Sequence, residues 1–149
     1  MTSDSHIAVP EPGRCAFCAY LAGERPYTIL WREPLVAVLV TRAQRGLPHV
    51  LVIPTRHVET ILDVNDDEAG ALIDDVRKVA RLIDSAYERP GIAIWQNNGT
   101  PAHQEIPHFH FHVAGTLESG GTEWGSVREL SVAETDAIAD CLRRADGER

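Results

Sequence analysis

The run His108-Phe109-His110-Phe111-His112-Val113 decides how the rest of the chain is read. Extended backbone sends successive side chains to opposite faces, so His108, His110 and His112 share one face while Phe109, Phe111 and Val113 take the other. The pattern predicts a strand over Ile106–Gly115, with imidazoles about 6–7 Å apart in a row and an aromatic face turned into a core. Histidine is a poor filler for a solvated strand face, so three in register mark a site. Two chemistries fit such a row. Neighbouring strand histidines can chelate one catalytic metal and leave a position open for water. Alternatively, one neutral imidazole attacks an electrophile such as phosphorus while its neighbours orient it or hold the phosphate.

Upstream of this strand stands a polar loop, residues 97–103, preceded by a strand over Ile92–Gln96. The clearest helix spans Asp66–Arg89, where Ala69, Leu72, Ile73, Val76, Val79, Ala80, Ile83 and Tyr87 follow the 3.6 period. Asn65 and Glu68 cap its start, and Pro90-Gly91 ends it, with Gly91 supplying the left-handed turn. Leu35–Val40 and Val50–Ile53, bounded by Pro34, Gly46, Pro48 and Pro54, are two buried strands, and Tyr27–Trp31 is a third. Downstream, Ser131 and Glu134 form a capping box for a closing helix whose apolar stripe is Val132, Ile138 and Leu142. Cys141 at the edge of that stripe reads as a core thiol.

With 149 residues, 44% hydrophobic and 24% charged, the chain supports one domain with a real core. Residues 1–13, polar and without periodicity, form a mobile arm, and residues 14–149 a single domain. There are 22 acidic against 14 basic residues, a net charge of −8, which excludes a general nucleic-acid binder and obliges any anionic ligand to be held by local groups. The longest apolar run, Leu35–Val40, is far short of the roughly 20 residues of a membrane span, and the N-terminal stretch lacks the apolar segment of a signal peptide. The chain is therefore placed in the cytoplasm, off the membrane. There the pair Cys15-x-x-Cys18 points to a metal or a redox couple over a disulfide, and no thioredoxin-like βαβ unit surrounds it.

Together these motifs resemble the histidine triad superfamily, whose signature is His-φ-His-φ-His-φ-φ with φ hydrophobic. His108 to Ala114 matches it at every position, and Leu51-Val52-Ile53-Pro54-Thr55-Arg56-His57 is similar to the family's strand-Pro-Lys/Arg-His stretch. Order and spacing agree over residues 14–116. The resemblance implies an α+β fold with an antiparallel sheet, one long helix and a C-terminal helix, usually as a homodimer. It also implies a small-molecule nucleotide substrate, cleaved at a phosphoanhydride or phosphoramidate bond through a nucleotidyl-histidine.

Carried over residue by residue, the nucleophile is His110, its tautomer fixed by a backbone carbonyl at Nδ1. His112 contacts the same phosphate, and Gln104 donates to a non-bridging or leaving oxygen. His49 packs near the nucleophile, and Asn97 binds the nucleotide. The zinc-containing branch joins the cysteine pair to two histidines, here Cys15, Cys18, His57 and His108, as one closed structural zinc site per chain. Departures concern the substrate. Thr41 stands where many relatives carry a ribose-gripping acid, and Pro48, His103 and Glu105 replace glycines or a small hydroxyl residue. Strand alternation sends Glu105 opposite Gln104. The leading expectation is a zinc-braced nucleotide hydrolase or nucleotidyl transferase. The alternatives are a nucleotide-binding module with little activity and, third, a catalytic metal site built on the triad itself.

Overall fold

The computed structural model describes residues 5–11 and 13–147. In chain order its elements are α1 (Ala16–Leu21), β1 (Thr28–Arg32), β2 (Val36–Val40), β3 (His49–Pro54), α2 (Asp66–Tyr87), β4 (Ile92–Gln96), β5 (Phe111–Gly115) and α3 (Val132–Gly147), with short 3-10 turns at Ile61–Asp63 and Thr100–Ala102. The strands form one antiparallel sheet in the order β1-β2-β3-β5-β4, giving an α+β fold. β2 and β3 are buried at every position because they lie inside the sheet with packing on both faces. On one face Val36, Val38, Val40, Val50, Val52 and Val113 meet Leu72, Val76, Val79 and Ile83 of α2 and Leu142 of α3. On the other, Ala37, Leu39, Leu51 and Ile53 meet Phe17 of α1. No helix among the described residues is long and apolar enough to cross a membrane.

Register carries this second face to the histidines. Leu39 pairs with Leu51, Leu51 with His112 and His112 with Trp95, so all four side chains share the α1 side. The loop from β2 to β3 docks on the end of β5 through Leu47 N–H to Gly115 O (2.8 Å) and Gly115 N–H to Pro48 O (3.0 Å). Glycine is required on both sides of this crossing. A Cβ on Gly46 would meet the Gly115 carbonyl, and a Cβ on Gly115 would meet that of Leu47.

Several boundaries differ from the sequence reading. The strand expected over Ile106–Gly115 is regular only from Phe111: Pro107 has no N–H to offer a ladder, His108 N–H turns back to Ile106 O, and Phe109 N–H bonds Val58 O beyond the end of β3. α2 stops at Tyr87, because Glu88 itself takes the left-handed conformation (φ 49, ψ 46) that was expected of Gly91. Within α2, Ile73 is exposed and Leu82 takes its place in the core. The capping boxes at Asn65/Glu68 and Ser131/Glu134 both form. Cys141 is only half-buried, on the margin of α3. Helix α1 was not anticipated. In the segment expected as an arm, Ala8 O accepts Thr100 N–H at 2.7 Å; residues 1–4 and 12 lie outside the described residues.

Candidate active site

The hydrogen-bond partners of four imidazoles, those of His49, His108 and His110 buried and that of His112 half-buried, fix which nitrogen of each carries the proton. His110 Nδ1 lies 2.7 Å from His108 O, so Nδ1–H donates to that carbonyl and Nε2 keeps its lone pair. His108 Nε2 lies 2.8 Å from Pro54 O, so it donates there and Nδ1 faces Cys15 Sγ (3.4 Å) and Cys18 Sγ (3.6 Å) with its lone pair. At the far end Arg45 N–H donates to His49 Nδ1 (3.2 Å), which places the His49 proton on Nε2. His49 Nε2 then donates to His112 Nδ1 at 2.9 Å, and the His112 proton is left on Nε2. Neighbouring rings, 4.8 Å apart, thus offer opposite functions: His110 a lone pair, His112 a proton. They are closer than the pleat predicts, because His110 precedes the regular ladder and folds onto the His108 carbonyl.

Four residues that the sequence reading missed hold this arrangement. Gln44 reaches both main-chain groups of His49, accepting its N–H at 2.8 Å and donating to its carbonyl at 2.7 Å, as a strand partner would. Trp95 stacks flat on His112, centroids 4.6 Å apart, and Phe17 sits edge-on to His108 and His110 at 5.6 and 5.1 Å. Arg45 supplies the terminal donor. Sequence patterns register Trp95 and Phe17 as apolar residues, but their contact with the triad depends on sheet register and on α1.

Burial penalises the charged imidazolium. Desolvation pushes His49 down to about 3 and His112 to about 2, with neighbouring positive charge adding to both. His110 is 8% exposed, and desolvation lowers it too, partly offset by the His108 carbonyl and the Glu105 carboxylate. All three are neutral at pH 7. In the unfolded chain His49 and His112 titrate near 6.5, so acidification below that value protonates the unfolded state first and weakens folding until about pH 3, each group costing about 1.4 kcal/mol per pH unit. Thermal melts from pH 7.5 down to 5 are expected to show a falling Tm, and the His49→Asn/His112→Asn double variant a flatter slope. An unchanged slope in that variant would remove these two imidazoles as the cause.

Gln104 requires a correction. It is buried with its amide fully engaged: Oε1 accepts Gly99 N–H (2.7 Å), and Nε2 donates to Glu59 O (2.8 Å) and Ile106 O (3.0 Å). It pins the 97–104 loop to the segment after β3 and has no proton left for a phosphate. Asn97 likewise spends its Nδ2 on Ala102 O (2.8 Å). Thr41 is buried with Oγ1 turned to Ala43 N–H (3.2 Å). Glu105 is exposed while Gln104 points inward, as alternation predicts.

The cysteine pair forms the second half of the site. Cys15 is the N-cap of α1 and its Sγ accepts Cys18 N–H at 3.4 Å, so one turn of helix brings both sulfurs together. Arg56 grips the buried Glu68 carboxylate through Nε and Nη2 (2.9 and 2.8 Å), fixing the chain just before His57. His57 Nδ1 then lies 3.4 Å from Cys18 Sγ, with Glu59 Oε2 3.9 Å from its other nitrogen. The ligand atoms of Cys15, Cys18, His57 and His108 all fall within 4.8 Å of one another. A tetrahedral zinc with bonds near 2.3 Å to sulfur and 2.1 Å to nitrogen wants sulfur–nitrogen separations of about 3.6 Å. The set fits. Burial, then the adjacent Cys15 thiol, push Cys18 up to about 11, so a cation is what would stabilise two thiolates here.

The model of the HIT domain matches residues 22–118, more than half of the chain. The chain belongs to the HIT family. It is 32% identical over 113 residues to the Protein hit of Bacillus subtilis, covering 74% of this chain and 78% of that one. It is 30% identical over 99 residues to adenosine 5'-monophosphoramidase hnt1 of Schizosaccharomyces pombe, covering 66% and 71%. Another Schizosaccharomyces pombe protein, the asymmetrical bis(5'-nucleosyl)-tetraphosphatase, is 33% identical over 85 residues, or 57% of this chain and 47% of that protein. Among solved structures, a zinc-bound histidine triad family protein of Mycobacterium smegmatis superposes with a TM-score of 0.73 at 22% identity, covering 91% and 97%. That likeness is one of fold.

Proposed function

We propose that this HIT protein is a nucleotide phosphohydrolase or nucleotidyl transferase that works through a covalent nucleotidyl-His110. The opposed tautomers of His110 and His112 carry the reading. His110 Nε2 attacks the α-phosphorus, forming an N–P bond as the bond from phosphorus to the leaving group breaks. The leaving group departs hydrogen-bonded to His112 Nε2–H; an amine takes its proton from solvent, and a phosphate leaves as the anion. Water then adds hydroxide to phosphorus, the N–P bond breaks, the remaining proton passes to solvent, and neutral His110 returns. The two fission-yeast relatives, named as an adenosine 5'-monophosphoramidase and a bis(5'-nucleosyl)-tetraphosphatase, support a nucleotide phosphohydrolase. The substrate is a small nucleotide, encountered in the cytoplasm.

The cofactor of this reading is one structural zinc per chain on Cys15, Cys18, His57 and His108. Bound there, it supplies a cross-link among α1, the segment after β3 and the approach to β5, and its four protein ligands leave no place for an activated water. The homodimer would form along the outer edge of β4, where the ladder is unpaired and Ile94 is 50% exposed. Light scattering at micromolar concentration is expected to give twice the chain mass; a monomer would remove the dimer and leave the chemistry standing.

One observation favours the binding-module alternative: Gln104 and Thr41 both have their polar atoms engaged within the protein. The two readings separate on intact mass. Incubation with adenosine 5'-phosphoramidate or a dinucleoside polyphosphate is expected to produce a nucleotidyl adduct that is absent from His110→Ala; nucleotide binding with neither adduct nor turnover would select the module.

A further inference from the structure

Arg45 stands at the end of the imidazole chain, its N–H on His49 Nδ1. Its guanidinium turns to the loop that follows β5 and donates to Gly125 O, and that loop answers with Glu123 N–H on Arg45 O at 2.8 Å. Among the described residues no carboxylate pairs with it, although acidic residues outnumber basic ones 22 to 14. An unpaired arginine beside catalytic imidazoles is a seat for an anion. The contiguous row His110–His112–His49–Arg45 gives that anion a direction, from a phosphate at His110 toward the guanidinium.

Trp124 lies between Glu123 and Gly125, the two residues tied to Arg45, and is 86% exposed. Gly125 at φ +77 turns the chain immediately after it. The core does not use this indole. An exposed indole on the loop that this guanidinium ties down supplies, with it, the two groups that bind a nucleotide, the cation for phosphate and the ring for the base.

We infer that Arg45 and Trp124 form a subsite for the departing half of the substrate, and that this half is a second nucleotide, its phosphates along Arg45 and its base on Trp124. The inference rests on His110 as nucleophile and narrows that reading to dinucleoside polyphosphates. Diadenosine tetraphosphate and adenosine 5'-phosphoramidate share the adenylyl half and differ in what departs, so the ratio of their kcat/KM values isolates the subsite. In Trp124→Ala the tetraphosphate-to-phosphoramidate ratio is expected to fall about tenfold, the size of one lost base-stacking contact. Trp124→Phe should restore most of it, and Arg45→Met, which keeps the backbone donor to His49, should lower it as well. Calorimetry in a His110→Ala background supplies a readout without turnover: Trp124→Ala should weaken diadenosine tetraphosphate relative to AMP. A ratio unchanged in both variants, or AMP weakened as much as the tetraphosphate, overturns the subsite and leaves His110 untouched. Failure of the wild-type protein to turn over either compound, with the calorimetric difference intact, overturns the covalent mechanism and keeps the subsite. Failure to bind either nucleotide overturns both.

Discussion

His110→Ala is expected to abolish turnover and adduct formation while the protein keeps its fold. The ring faces the site, and its loss removes one hydrogen bond to the His108 carbonyl and the edge contacts with Phe17 and His112. That costs about 1–3 kcal/mol if the carbonyl finds no other donor, within the reserve of a domain of this size. The effect on rate is of another order. Acid–base assistance is worth ~10²–10⁴-fold, so a covalent nucleophile must cost more than ~10⁴-fold when removed. His112→Ala provides the contrast, because it removes a donor and leaves the attacking lone pair: turnover should fall by ~10²–10⁴-fold while a slow adduct on His110 still forms. Circular dichroism and intact mass on the two variants check both statements. A His110→Ala protein that keeps a tenth of the rate rules out covalent catalysis at this position.

The division of labour between these two histidines was only half legible in the chain. Alternation along Phe109–Val113 gave the faces, because strand geometry is local. Which nitrogen carries each proton depends on His108 O for His110 and, for His112, on a contact with His49 that spans 63 residues of sequence. Gln104 was misassigned for the same reason, since Glu59 O lies 45 residues away. Helix α1 escaped notice because six residues carry no measurable period and its cap is a cysteine sulfur, outside the usual set of capping side chains. The metal quartet, by contrast, was implied by the family resemblance, since spacing alone marked only Cys15 and Cys18, and its four ligand atoms lie within 4.8 Å of one another once α1 has formed.

Metal and catalysis are expected to separate. Purified protein should hold about one zinc per chain, and Cys18→Ser should lose it, because a hydroxyl does not replace a thiolate as a soft ligand. The variant should lose several kcal/mol of stability, a Tm drop of about 10 °C, since α1 is short and Cys15 and Cys18 are its connection to His57 and His108. Without a cation burial keeps Cys18 protonated, with a pKa near 11, so metal binding must release thiol protons, and acid or a strong chelator should strip the site. Activity should decline only as far as the His108 carbonyl, which orients His110, shifts with its ring, and it should return when zinc is restored. A catalytic metal on the triad predicts the opposite dependence, because His110 and His112 would then be ligands and their alanine variants would lose the ion. Against that model stand the two protons that hydrogen bonding assigns to His110 Nδ1 and His112 Nε2, which leave the pair without two lone pairs aimed at a common point. Full zinc in His110→Ala with zinc lost from Cys18→Ser selects the structural site, and the reverse pattern would move the protein into the class of metal-dependent hydrolases.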